Sequence, residues 1–243
     1  MSPISLQSRV APLSGGNPLH LRPTAPLSER VLLPGDPGRA LMLAQVVLEE
    51  PRMFNHHRGL WGYTGTASDG DPLTIQATGM GGPSAAIVLQ ELIGLGARRA
   101  IRVGTCGALA SGLELGSLVI ACEAICADGT SRALGAGERA RADEQITAAL
   151  RGAAPAAEAG SVLSVDLFYD ADLSPADGAL AIEMEAAALF AVGAREGAAV
   201  GCVLTVSDTF DEHGARHRID DHTLQESAEA MGRAAVAALT DAR

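Results

Sequence analysis

Apolar positions along this chain alternate between short unbroken blocks and longer stretches with helical spacing, and that alternation organises it. Residues 1–19 show no period and are rich in Ser, Pro and Gly, which predicts a flexible arm ahead of one domain spanning 20–243. The block "VLL" at 31–33 reads as a strand that stops at Pro34-Gly35-Asp36, and a helix follows with Pro37 in its first turn, running to about Glu49. "LWGYTGTASDGDPLTIQATG" alternates around Ser68-Asp69-Gly70-Asp71 and reads as a hairpin. A helix over 83–95 is expected to carry Val88, Leu92 and Leu95 on one face. "RRAIRVGTCGAL", "GSLVIACEAICA" and "AGSVLSVDLFY" read as strands, and "IEMEAAALFAVGAREG" as a helix leading into "AAVGCVLTVSD", whose continuous apolarity suits the middle of a sheet. The last helix places Leu224, Ala228, Met231, Ala235 and Leu239 at spacings of three and four.

Strands alternating with helices predict an α/β fold around one sheet, made mixed by its hairpins. At 243 residues the chain is long enough to bury a sizeable core as one domain, with no internal repeat and only Ala-rich stretches near 133–160 approaching low complexity.

Composition narrows the function classes. The formal charge of −11 argues against general affinity for nucleic acid or an anionic membrane. All 18 basic residues are arginine, which excludes Schiff-base lysine chemistry and a lysine-bearing phosphate loop. Any bound anion must be held by arginine, whose planar fork suits phosphate. Cys106, Cys122, Cys126 and Cys202 stand in apolar surroundings without signal-peptide or spanning features, so a reduced, cytoplasmic protein is expected. Cys122-x-x-x-Cys126 lacks a second pair, and the six histidines lack metal-cluster spacing, so no metal is expected.

Ligands of open α/β sheets gather beyond the carboxyl ends of strands. Gly35-Asp36, Gly104-Thr105, residues 166–169 and Ser207-Asp208 are all expected there. Gly35, Arg39, Arg102 and the Gly79-Met80-Gly81-Gly82 turn fit an anion site, although each glycine turn alone also reads as structural. Glu183 and Glu185 fit helix-start charge, and Glu185 also fits a ligand for two adjacent sugar hydroxyls. Asp208 fits a proton-holding group at a strand end or a turn residue.

Taken together and in order, "LLPGDPGRA", "IRVGTCGAL", "IEMEAAALF" and "VSD" resemble the nucleoside phosphorylase family, and more narrowly its hexameric bacterial purine branch. The resemblance runs from about His20 to the C-terminus, with "RGLWGYTG" and "LFY" as further matches. It implies one α/β domain in which a mixed, distorted barrel-like sheet is flanked by helices. It implies phosphorolysis of purine (deoxy)nucleosides to free base and (deoxy)ribose 1-phosphate, as in purine salvage, with phosphate as co-substrate and no cofactor. By motif, Gly35, Arg39, Arg102 and Thr105 would bind phosphate, and a neighbouring subunit would lend Arg58 and His20, so that a homo-oligomer, a hexamer built from dimers, shares its active sites. Met184 and Glu185 would hold the ribose with His20. Phe168, Ile182 and Glu183 would flank the base, Asp208 would protonate or hydrogen-bond it, and Ser207 would support Asp208.

Two departures stand out. Where the purine branch places an arginine near the start of the last helix, this chain reads "IDDHTLQESAEAM", with Arg216 and Arg218 upstream; the stretch between Tyr169 and Glu183 is also short. Three other readings compete. A uridine phosphorylase would share the phosphate motifs, but "SVDLFYDAD" lacks the glutamine and arginine of its uracil pocket. A hydrolytic nucleosidase of the same fold would not need Arg39, Arg58 and Arg102. A non-catalytic nucleoside binder would tolerate loss of Asp208. No G-x-G-x-x-G follows the first strand, which disfavours a dinucleotide site.

Overall fold

In the computed structural model, residues 18–169, 176, 178–211 and 213–241 are described. The arm expected over 1–19 therefore lies outside the described residues except for Pro18 and Leu19. In chain order the elements are β1 (Arg30–Leu33), α1 (Pro37–Val47), β2 (Glu49–Asn55), β3 (Gly62–Thr66), β4 (Pro72–Gln76), α2 (Gly82–Leu95), β5 (Arg99–Ala108), β6 (Leu118–Cys126), α3 (Gly129–Ala133), β7 (Arg139–Arg141), α4 (Glu144–Ala153), β8 (Glu158–Ser164), β9 (Ala179–Glu183), α5 (Ala186–Glu196), β10 (Ala199–Phe210), β11 (Arg216–Arg218) and α6 (Asp221–Asp241).

Among the described residues the strands form one mixed sheet, part of which closes on itself. β10 pairs with β5 and β6, β6 with β8, β8 with β9, and β9 returns to β5. β5 makes closure possible by changing partner along its length. Its first residues, 99–102, lie between β1 and β10, and Gly107 and Ala108 then pair with β9. β1, β4, β3 and β2 extend the sheet beyond the ring, and β11 adds an antiparallel edge to β10. The expected mixed, barrel-like architecture flanked by helices is the one observed.

The sequence explains why β10 sits at the centre. It is buried from Val200 to Asp208, and such a strand reads as an unbroken apolar run. Helices cover both sides: α2 and α5 pack on one core with Leu89, Leu92, Leu189 and Phe190, and α1, α4 and α6 on another with Leu43, Ile146, Met231 and Leu239. Full burial of each such side chain contributes about 1.5–3 kcal/mol against its exposed state.

Several expectations need correction. α1 stops at Val47, and the residues after it turn into β2, an edge strand whose exposed first five residues hide the period of two. "IEMEAAALF" is not one helix. Ile182 and Glu183 end β9, and α5 begins at Ala186, because the Glu183 carboxylate accepts hydrogen bonds from the amides that open the helix. β8 ends at Ser164, so Phe168 and Tyr169 lie in the loop that follows. Gly104, Thr105, Ser207 and Asp208 sit within β5 and β10 instead of after them. The Ala-rich stretch over 133–160 holds β7 and α4, and the Asp143 cap of α4 outweighs the weak pattern. Leu95 is 37% exposed, since α2 ends there against Gly96.

Candidate functional site

The β1–α1 turn is built as a cradle. Pro37 opens α1, and the Asp36 carboxylate caps it by accepting from the Arg39 amide at 2.7 Å. Asp36 is therefore a cap. The second glycine turn lies against the first: the Thr78 amide donates to the Pro34 carbonyl at 2.9 Å and the Gly79 amide to the Gly35 carbonyl at 3.0 Å. Gly79 and Gly81 adopt φ values of 74° and 84°, in the left-handed region that favours glycine. The two glycine turns read as parts of one anion site are thus joined by backbone hydrogen bonds.

Arg39 reaches back from the first turn of α1 and is half-buried. Its guanidinium has no hydrogen-bond or carboxylate partner among the described residues, yet it lies within electrostatic reach of Arg102, Asp36 and Glu185. Burial lowers its pKa, and the Arg102 charge lowers it further against the two carboxylates. A desolvated guanidinium facing another arginine is a site for an anion.

Arg102 is finished differently. Projecting from β5, it is 3% exposed, with Nε donating to Glu183 Oε2 at 3.0 Å and Nη2 to Glu185 Oε2 at 2.5 Å. Its guanidinium lies over Gly104, where a Cβ would come within 2.7 Å of it. Burial pulls its pKa down, but the carboxylates of Glu185 and Glu183 outweigh this and hold it above its ordinary value. Burial raises the Glu183 carboxyl, which Arg102 counteracts and Glu185 reinforces. Glu183 also accepts from the Ser164 hydroxyl and from the amides of Glu185 and Ala186. Its side chain is thus committed to the start of α5 and to Arg102. Glu185 accepts from the Gly81 amide at 2.5 Å, tying this cluster to the second glycine turn.

Asp208 comes from β10 at a bulge between Val206 and Asp208, which breaks the β5 register there. It is 6% exposed. Its Oδ2 accepts from the Ser207 hydroxyl at 2.7 Å, so Ser207 supports it directly. Its Oδ1 is buried and accepts no hydrogen bond among the described residues, with Arg218 Nη1 at 3.5 Å and Arg216 Nε at 4.0 Å. The two arginines left unassigned by the sequence thus face this carboxylate from β11. The Cys106 thiol, pushed up by burial, lies within electrostatic reach of Glu183, Arg102 and Asp208, which places both clusters around one strand end.

Thr105, Ile182, Met184 and Phe168 fall around this end. Thr105 is half-buried beside Thr205 of β10, and its hydroxyl has no partner among the described residues. Ile182 pairs with Gly107 across β5 and β9, and Met184 packs partly buried on the Leu163 and Val165 cluster. Phe168 is 45% exposed, with its ring edge to face against Tyr169. His20 and Arg58 are brought together by His57. The Nδ1 of His20 donates to Glu91 at 2.7 Å, and its carbonyl accepts from His57 Nδ1 at 2.8 Å. Next to His57, Arg58 is exposed at a left-handed φ of 59°.

Three residues that sequence reasoning missed contribute here. Glu91, 2% exposed on α2, collects the amides of Leu19, His20 and Leu21; its sequence signal was a carboxylate between Val88 and Leu92 on an apolar face. Burial raises the Glu91 carboxyl, but these hydrogen bonds outweigh it and leave the pKa lowered. Ser164 bridges Glu183 and the Ala187 amide, for which the sequence carried no signal. Phe210, paired with Arg216 across β10 and β11, stands over Gly107 and Ile182, and its signal was an aromatic side chain just after "VSD". Among the described residues no group of three or more His, Cys, Asp or Glu side chains is placed to hold a metal ion, and no helix is long and apolar enough to cross a membrane.

The profile of the Phosphorylase superfamily matches residues 29–240. The chain is 37% identical over 196 residues to the purine nucleoside phosphorylase DeoD-type of Alkaliphilus metalliredigens (strain QYMF), covering 75% of this chain and 83% of the relative. It is 38% identical over 207 residues to the purine nucleoside phosphorylase DeoD-type of Clostridium novyi (strain NT), covering 79% and 88%. To that of Geobacillus kaustophilus (strain HTA426) it is 38% identical over 196 residues, covering 76% and 83%.

Proposed function

The chain belongs to the phosphorylase superfamily, and from that premise we propose that its site carries out phosphorolysis of purine (deoxy)nucleosides. A phosphate oxygen attacks the anomeric carbon, the glycosidic C–N bond breaks, and the base leaves with its bonding electrons and takes up a proton. The products are the free purine and (deoxy)ribose 1-phosphate. The chain's relatives named as purine nucleoside phosphorylases favour this over a uridine phosphorylase or a nucleosidase.

Arg39 supplies the open positive charge for phosphate, with the Gly35 turn, the Thr105 hydroxyl and Arg102 around it. Holding the anion beneath a sugar that develops positive charge lowers the barrier through orientation and electrostatics. Glu185 and Met184 face the ribose. Phe168, Ile182 and the backbone around Glu183 form the base side. The observation that carries the reading is Asp208: a buried carboxylate with one oxygen held by Ser207 and the other without a hydrogen bond is positioned to share a proton with the leaving base.

Arg58 and His20 share one surface through the His57 link, which supports their being lent across a subunit contact in a homo-oligomer, a hexamer by our reading. We read the protein as cytoplasmic, needing no cofactor. The test is base release from inosine, adenosine and uridine, followed by absorbance with and without inorganic phosphate. Phosphate-dependent release from the purine nucleosides is expected. Release without phosphate, or from uridine alone, would overturn the assignment.

A further inference from the structure

We propose that Arg216 is a positioning residue for base recognition: its guanidinium, between Phe168 and Phe210, backs the Phe168 ring so that the ring's other face receives an aromatic purine. This rests on the purine reading above and gives a role to an arginine that the sequence left unassigned.

Phe168 lies in the loop after β8, outside any strand ladder and 45% exposed, so nothing in the sheet fixes its ring. Besides the adjacent Tyr169 ring, whose centroid is 5.0 Å away, a contact on it comes from across the site. The Arg216 guanidinium carbon lies 4.3 Å from the Phe168 ring centroid and 5.5 Å from that of Phe210, both inside the range of cation–π attraction. Arg216 and Phe210 are opposite partners on β11 and β10, an arrangement that brings cross-strand side chains together on one face. Phe210 in turn is seated on the barrel, where a Cβ at Gly107 would approach its ring to 3.1 Å and the Ile182 Cγ2 to 3.2 Å. A continuous path therefore runs from Gly107 and Ile182 through Phe210 and Arg216 to Phe168. Arg216 is also partly compensated by Asp208, whose Oδ1 is 4.0 Å from its Nε, with Arg218 Nη1 at 3.5 Å from the same oxygen. One guanidinium thus spans the base-side ring and the proton-sharing carboxylate. A planar cation on two rings also explains why arginine suits this place: the fork lies flat on aromatic faces as a compact ammonium does not.

The test is a double-mutant cycle between Arg216→Ala and Phe168→Ala, with Arg216→Lys as the conservative variant. KM and kcat are measured for inosine and adenosine at saturating phosphate, and KM for phosphate at saturating nucleoside. Arg216→Ala is expected to raise the nucleoside KM roughly tenfold, a change on the scale of one partly desolvated cation–π contact. The phosphate KM should stay within about twofold, and Arg216→Lys should recover part of the loss, because its charge still covers the ring. In the Phe168→Ala background, Arg216→Ala should add less than about twofold, since the two act as one unit. Additive effects, an unchanged nucleoside KM or a loss confined to kcat would overturn the proposal. Should the wild-type chain show no phosphorolysis, calorimetric titration with adenine and hypoxanthine separates the two claims. Weaker base binding by Arg216→Ala sustains the role of Arg216, while equal affinity, or no base binding by the wild type, overturns it.

Discussion

Around one end of the barrel, two acidic clusters are completed in opposite ways. At Arg102, two carboxylates, the Ser164 hydroxyl and the first amides of α5 satisfy one another, and the arginine is 3% exposed. At Asp208, one carboxylate oxygen is held by Ser207 and the other faces two arginines without a hydrogen bond, while those arginines stand 33% and 63% exposed through their side chains. The first cluster is a closed frame that sets where Glu185 and the start of α5 lie. The second leaves acceptor capacity open toward the site. Buried polar groups satisfied by the protein rigidify it, and one left open at a site is held for a ligand.

That difference can be broken at either end. Glu183→Ala leaves the Arg102 charge buried with half its partners, and loss of a buried partner costs about 3–5 kcal/mol. Thermal and urea denaturation should both register this, and a change below about 1 kcal/mol would mean that the cluster is not a structural frame. Asp208→Ala should reverse the pattern, cutting purine turnover by roughly 10²-fold or more with little change in unfolding temperature. Full turnover by a folded Asp208→Ala enzyme would remove Asp208 from the chemistry.

Arg39→Met keeps the volume of the α1 arginine but deletes its unpartnered charge. The phosphate KM should rise by roughly tenfold, in line with a hydrogen bond to a charged group, while stability is unaffected because no carboxylate loses its partner. A phosphate KM that does not move would shift the anion site onto Arg102.

The smallest effect lies outside both clusters and serves as their control. Asp69 accepts a bidentate pair from Arg30, a hydrogen bond from Thr240 and the Asp71 amide. The Arg30 hydrogen bonds, aided by Thr240 and opposed by burial, hold its carboxyl well below the usual carboxylate range. A depressed folded pKa stabilises the native state above the unfolded value of about 3.9, and that stability is lost as pH falls through the folded value. Asp69→Asn should therefore lose about 1.5 kcal/mol at neutral pH, the low end for a hydrogen bond between charged groups because the amide oxygen still accepts from Arg30, and flatten the fall in stability below about pH 4. Urea titrations from pH 7 down to pH 3 read both effects, and activity at neutral pH should not change.

Local pattern was enough for the elements that carry strong periodicity. β10 showed an unbroken apolar run, α6 a three-and-four spacing, and the β3–β4 hairpin its Asp-Gly turn. Weakly patterned elements escaped it. β7 and β11 are three residues each, and β2 is an edge strand exposed over most of its length, so burial imposes no period on them. The site divides along the same line. Gly35, Pro37 and Asp36 act within a few residues of one another, so the chain's order reveals their turn and cap.

The amino-acid sequence by itself thus determined the α/β class, the glycine turns, the exclusive use of arginine for positive charge and the resemblance that points to phosphate and a purine nucleoside. Only the tertiary structure decided that Arg102 is closed by Glu183 and Glu185, that Glu91 gathers the His20 segment, and that Arg216 bridges Phe168, Phe210 and Asp208. Those partners stand between 8 and 83 residues apart or are matched across strands, and no local period encodes such a meeting. The physical reason is that burial makes a charge depend on whichever partner the fold brings within a few ångströms, and closure of the barrel at β5 and β10 sets that choice.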